Sequence, residues 1–203
     1  SGQIANSGGF LWLGNGTATT NGDFDLGRIN FCNGATITSQ IAGSTQTSAN
    51  DDGRLTFYTK ETGETEAERL RINSDGTADF KENTVQKAVL KNYTETVKAI
   101  GNTGTSTTLD LADGNVFTAT LNGNCTFTFT TGTNSAPNAA SFTLILTNDG
   151  SAGRTISWPA SVKWPNASQP SRTTAASKTD IWSFMTPDNG TTWYGNIALY
   201  NFS

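Results

Sequence analysis

The densest run of ionisable groups in this sequence is Glu61, Glu64, Glu66 and Glu68, followed at once by Arg69 and Arg71. Two carboxylates a fixed distance apart are what glycoside hydrolysis requires. Glutamates at alternate positions beside arginines are more simply cross-strand or intersubunit ion pairs, each worth about 0–1 kcal/mol when exposed. The second reading is adopted, and no catalytic residue is assigned. The chain contains no histidine. That removes Ser-His-Asp and Cys-His nucleophiles, imidazole proton transfer and histidine-bearing zinc sites. An enzyme is not expected. Asp51-Asp52-Gly53, Asp75-Gly76 and the stretch from Asp110 to Asn115 bear a superficial likeness to calcium loops. None has the ligand spacing of an EF-hand, and Asp-Gly is first of all a turn. No metal or cofactor is expected.

A sugar ligand needs an aromatic face for its C–H groups, and amide, carboxylate or guanidinium groups for its hydroxyls. The chain has five tryptophans. Trp182 and Trp193 lie within alternating runs and read as core. Trp158 and Trp164 each precede a proline, which holds them extended at the ends of a loop. That loop, residues 159–178, is long for a compact domain. Long loops on a rigid β scaffold are where binding concentrates. The candidate contacts are Trp164, Asn166, Gln169 and Arg172 from the loop, with Asp188 and Asn189 from the turn Asp188-Asn189-Gly190. The structural alternative is that the Trp-Pro pairs only staple the loop down.

Strands must position these groups. Leu55, Phe57 and Thr59 alternate with Arg54, Thr56 and Tyr58; Leu70 and Ile72 alternate with Arg69 and Arg71. Gly27–Phe31 and Phe10–Leu13 are further short strands, set off by Gly14-Asn15-Gly16 and Asn21-Gly22 turns. Residues 33–52 read as a connection, with one added strand at Gln40–Gly43. Residues 81–91 place Val85, Ala88 and Val89 at helical spacing and read as a helical connector. From Tyr93 to Phe202, strands recur at short intervals: 93–100, 108–111, 115–121, 125–130, 141–147, 154–158, 181–186 and 192–202. That is the spacing of a sandwich or barrel.

Charged residues make up 15% of the chain, against ~25% in an ordinary globular domain. Threonine, asparagine, glycine and serine take their place, which favours strands and tight turns. Hydroxyl and amide groups keep a surface soluble without making copies of it repel. The net charge is −4 with no basic stripe, which argues against nucleic acid as a partner. No apolar run is long enough to span a bilayer, so membrane insertion is not expected. Of the two cysteines, Cys125 lies in a strand beside Phe127 and Phe129 and reads as core, and no pairing with Cys32 is expected. The chain opens on Ser1-Gly2 rather than Met; it is expected to be a fragment, with residues 1–2 left from cloning.

The unit Gly53-Arg54-Leu55-Thr56-Phe57-Tyr58-Thr59, answered by Glu68-Arg69-Leu70-Arg71-Ile72 and Gly76, resembles a repeat of bacteriophage tail fibres, those of marine cyanophages above all. There it closes a shaft domain next to the tip. The second half resembles the C-terminal head of such fibres. That likeness lies in Asp113–Leu121, Gly153–Pro159, Val162–Pro165, Asp180–Phe184 and Thr191–Gly195. The long β-helical repeats of polysaccharide-cleaving tailspikes are missing.

The resemblance implies an all-β chain. A small Gly-rich shaft-end domain (1–80) and a connector (81–91) lead to a β-sandwich or jelly-roll-like head (92–203), assembled as a parallel homotrimer. Leu55, Phe57, Leu70 and Ile72 are expected at the threefold axis, where sister chains supply a core the thin first domain lacks. The implied function is non-catalytic recognition of a bacterial surface receptor, lipopolysaccharide or another envelope glycan, or a protein, for host adsorption. The implied partners are further copies of the chain and upstream fibre and tail proteins, and the implied location is the virion. The alternative is a structural appendage, a capsid fibre or horn protein, without receptor binding.

Overall fold

A computed structural model describes residues 12–14, 22, 24–47, 52–81, 83–132 and 139–203. Among these residues the regular structure is all strand, apart from one 3-10 turn. The chain divides into two compact units, residues 1–89 and 90–203.

The first unit is one antiparallel meander. Its strands are β1 (Asp25–Asn33), β2 (Thr36–Thr45), β3 (Gly53–Lys60), β4 (Glu66–Ile72) and β5 (Ala78–Asp79), paired in that order. Half of the segment expected to be mostly connection is β2, a ten-residue strand. Its Ser, Thr and Gln side chains suit a pleated surface, so polarity hid a strand there. The β4–β5 turn needs Gly76, whose φ is +83°. Asp75 closes it by accepting the Thr77 N–H at 2.8 Å.

This sheet is two-faced. Ile29, Ile41, Phe57 and Leu70 lie in register on one side, beside the row Gly27, Gly43, Leu55 and Ile72. Arg28, Ala42, Thr56 and Arg71 form a row on the other side. There, long polar side chains fold over their neighbours: Arg28 bonds Gln40 at 3.0 Å and Arg54 bonds Ser44 at 3.0 Å. The outcome inverts the usual pattern. Thr56 on the polar side is 1% exposed, whereas Leu55 on the apolar side is 39% exposed. Apart from Leu13, which meets Gly27, no second layer of the described residues of this unit packs on the apolar face.

The helix expected at 81–91 is not formed. Residues 83–91 carry only turns, and Lys87 has φ +54°. A segment this short, with Thr84 and Val85 branched at Cβ, does not offset the cost of nucleation. The strand expected at Phe10–Leu13 falls partly, and the turns at Gly14–Gly16 and Asn21-Gly22 mostly, outside the described residues; Trp12–Gly14 form no strand.

The second unit contains β6 (Val97–Asn102), β7 (Ser106–Asp110), β8 (Val116–Leu121), β9 (Cys125–Thr130), β10 (Ala140–Asn148), β11 (Ile156–Ser157), β12 (Val162–Lys163), β13 (Thr179–Thr186) and β14 (Trp193–Phe202). One sheet has the order β12-β14-β13-β10-β8-β6, the other β11-β9-β7. From β6 to β11 the chain alternates between the sheets, and strands within each sheet stack parallel. A jelly roll would pair them antiparallel; this is a short coil, closed by the antiparallel β10–β13–β14 meander. Leu109, Cys125 and Phe127 from the small sheet join Phe117, Leu144, Trp182, Phe184 and Trp193 from the large one in a single buried core. Phe129 spans it edge-on, 4.9 Å from Phe184 and 5.4 Å from Trp193.

Candidate functional site

One groove, of about 520 Å3, lies on the second unit where β12 pairs parallel with β14. Trp164 stands at the end of β12 in extended conformation, φ −106° and ψ 153°, as the following Pro165 requires. Its ring packs against Trp158 and Trp182, both at 5.9 Å, and Phe184 at 6.0 Å. Trp158 in turn stacks on Phe127 at 5.0 Å. Gly195 leaves room for this layer, since a Cβ there would come within 2.8 Å of the Trp164 ring. Among the described residues, the buried indole N–H groups of Trp158 and Trp182 have no hydrogen-bond acceptor.

Lys163, Ser183, Met185, Tyr194 and Asn196 complete the wall. Tyr194 and Asn196 alternate with buried Trp193 and Gly195, so their side chains face outward. The site therefore offers a half-buried indole, an exposed phenol, an ammonium, an amide and a hydroxyl. That set can cover the C–H face of a sugar ring and bond its hydroxyls or an acidic substituent. Sequence reasoning singled out Trp164 and passed over the rest. The available signal was the strand phase: Tyr194 stands opposite to core Trp193.

Of the six candidate contacts, only Trp164 lines this groove. Asn166 and Gln169 are exposed on the loop, Asn166 with φ +53° inside the turn Pro165–Ala167. Arg172 is turned to structure. It donates to Asn148 Oδ1 and to the Thr173 carbonyl, each at 2.8 Å, and to the Arg154 carbonyl. Burial lowers its pKa, opposed by the charge of Asp180. Asn148 and Asp180 fasten the same loop, through Ala175 at 2.8 Å and Thr173 N at 2.7 Å. Asp188 accepts the Thr192 N–H at 2.8 Å and the Thr186 hydroxyl at 2.9 Å, and those bonds hold its carboxyl below the usual range. Thr131 donates to Asn189 at 3.1 Å.

Two glutamates of the acidic run are paired with arginines. Both Glu68 oxygens accept from Arg71 at 2.8 Å, and Glu61 meets Arg69 at 3.3 Å. Asp52 accepts the Thr47 N–H at 3.1 Å. Among the described residues, no cluster of three or more Cys, Asp or Glu groups is arranged to hold a metal. Leu55 pairs across strands with Ile72, and Phe57 with Leu70, on the apolar face of the first unit.

Fold and groove together define a two-unit, all-β protein: a one-layer sheet joined to a coil of parallel strands with an aromatic groove. Residues 103–192 match the family described as "Putative phage tail fibre C-terminal domain". The matched span runs from just before β7 to the residue before β14, and contains Trp164 and its loop. It supports a phage tail fibre C-terminal region, and so locates the chain in the virion, in the tail fibre. No curated protein matches the chain.

Proposed function

We propose that this chain is the distal, receptor-recognising part of a phage tail fibre of the marine cyanophage kind, non-catalytic and homotrimeric. Its ligand is a glycan of the bacterial envelope, and its other partners are upstream fibre and tail proteins. The observation that carries the reading is the groove formed by the matched span and β14, where Trp164 and Tyr194 flank Lys163, Ser183 and Asn196. A shallow aromatic groove suits weak contacts multiplied over several copies, since linked sites gain strength by avidity.

The apolar face of the first unit supports the trimer. Leu55, Phe57, Leu70 and Ile72 lie together there, and a single amphipathic sheet needs a second layer. Sister chains supply it. The test is binding of labelled protein to intact bacterial cells, with purified lipopolysaccharide as competitor. Saturable binding that the competitor displaces is expected. An absence of binding to every host tried would favour the structural-appendage alternative.

A further inference from the structure

Strand register sets the chemistry of the groove in rows. Val162 and Trp193 pair in parallel and are both buried, so the next pair, Lys163 and Tyr194, faces outward together. Tyr194 also pairs with Met185 on β13. One row across three strands is therefore ammonium, phenol and thioether, with neighbours about 4.8 Å apart. The next outward row holds Asn196 and Ser183, and Trp164 lines the same groove from the end of β12.

None of the residues lining this groove is acidic. Lys163 is exposed and, among the described residues, makes no ion pair or hydrogen bond. Other cations of the second unit serve the fold. Lys98 meets Asp113 at 3.0 Å, Arg154 meets Asp149 at 2.9 Å, and Arg172 fastens the long loop.

We propose that the groove selects glycans carrying an acid, a carboxylate or a phosphate monoester, and that Lys163 is the residue that reads it. This selectivity rests on the groove being the receptor site. A sugar ring laid on Tyr194 sets its C–H groups against the phenol and turns its substituents toward the flanking strands. An acid at the rim of that ring then lies about one strand spacing, some 4.8 Å, from the stem of Lys163. Asn196 and Ser183 remain for hydroxyls. A lysine ammonium is a compact charge with three rotatable donors, so it takes a single acid group without the planar fit that an arginine fork favours. Charge separates acidic from neutral ligands. The chain carries −4 overall, which repels an anion at a distance, and an uncompensated cation in an acid-free groove makes this spot an exception. A bond between two ionised groups is also stronger than one to a hydroxyl.

The test takes the full chain, Lys163→Met, which keeps the stem without the charge, and Lys163→Arg, which keeps the charge. Each is bound to intact bacterial cells at low and at high salt, with tryptophan emission as the check on folding. Lys163→Met is expected to bind about fivefold more weakly at low salt, through slower association, and to lose most of its salt dependence. Lys163→Arg is expected to stay close to wild type. Polysaccharide extracted from the same cells then serves as competitor in three forms: intact, carboxyl-reduced and dephosphorylated. One of the two treatments is expected to weaken competition by a similar factor, and which one does so names the acid. If Lys163→Met fails to fold, Lys163→Gln replaces it. Equal competition by all three forms, or wild-type binding by a folded Lys163→Met chain, overturns the charge selectivity; the groove remains the receptor site if Tyr194→Ala still weakens adsorption. An extract that competes in none of its forms overturns the glycan reading and the selectivity together.

Discussion

Trp164 lies directly over Gly195, so close that a methyl group on Gly195 would stand 2.8 Å from the indole and 2.7 Å from the Phe184 ring. Both rings are pinned by the aromatic layer beneath and cannot swing aside as a flexible chain would. The glycine is therefore part of the groove as well as of β14. Gly195→Ala is expected to destabilise the second unit by about 1–3 kcal/mol, the range for overpacking a filled site. Urea denaturation followed by tryptophan emission reads this directly. An unchanged midpoint would mean that the layer is looser than the distances imply.

The two aromatic walls of the groove should respond differently to truncation. Trp164 is half-buried against three rings, so Trp164→Ala removes core packing and is expected to cost about 2–4 kcal/mol. Tyr194 is 53% exposed. Tyr194→Ala is expected to stay within about 1 kcal/mol of wild type in stability, while adsorption to cells falls several-fold. Tyr194 is thus the cleaner probe of recognition. Full adsorption by a folded Tyr194→Ala protein would remove the groove from the binding surface.

Strand phase was the legible part of this sequence, and strand partnership the illegible part. Alternation placed Trp182, Trp193 and Cys125 inside, and all three are buried. The strands at 115–121, 125–130 and 141–147 fall within a residue of β8, β9 and β10. Alternation sets a strand's buried face but says nothing of which neighbour it meets. The parallel coil therefore had no local signature, and the strand spacing reads only as a sandwich or barrel. Arg172 shows a related limit. A loop arginine reads as available, and only the fold brings Asn148 and the Arg154 carbonyl to it. The polar strand β2 was legible only at Gln40–Gly43, its middle, because the cover over its polar face comes from arginines on neighbouring strands.

Stability should be level through neutral pH and fall only in acid. The chain has no histidine, so no imidazole charges between pH 8 and 5. Arg154 holds the Asp149 carboxyl low, the Thr192 N–H does so for Asp188, and Thr77 for Asp75. A depressed carboxylate stabilises the fold above its unfolded pKa of about 3.9 and loses that contribution as pH falls through the lower folded value. Melting temperature is therefore expected to be flat from pH 8 to about 5 and to decline below about 4. A pronounced step between pH 6 and 7 would contradict this assignment of the titrating groups.

The first unit makes the sharpest claim on assembly, because its polar side is already covered and, among the described residues, only Leu13 meets its apolar side. Thr56 gains nothing from a partner, whereas Leu55 and Ile72, 39% and 40% exposed, gain whatever a neighbouring chain buries. Burying an aliphatic side chain fully is worth about 1.5–3 kcal/mol. Leu55→Asp inserts a charge where copies would meet, and is expected to weaken association at least tenfold. Among the described residues only Leu13 lies over that face, so within a single chain the same change is expected to be nearly neutral. Thr56→Val, on the covered side, is the matched control and should leave association intact. Sedimentation equilibrium across a concentration series separates the two. A Leu55→Asp chain that assembles as wild type would show that the apolar face is covered by something other than its own copies.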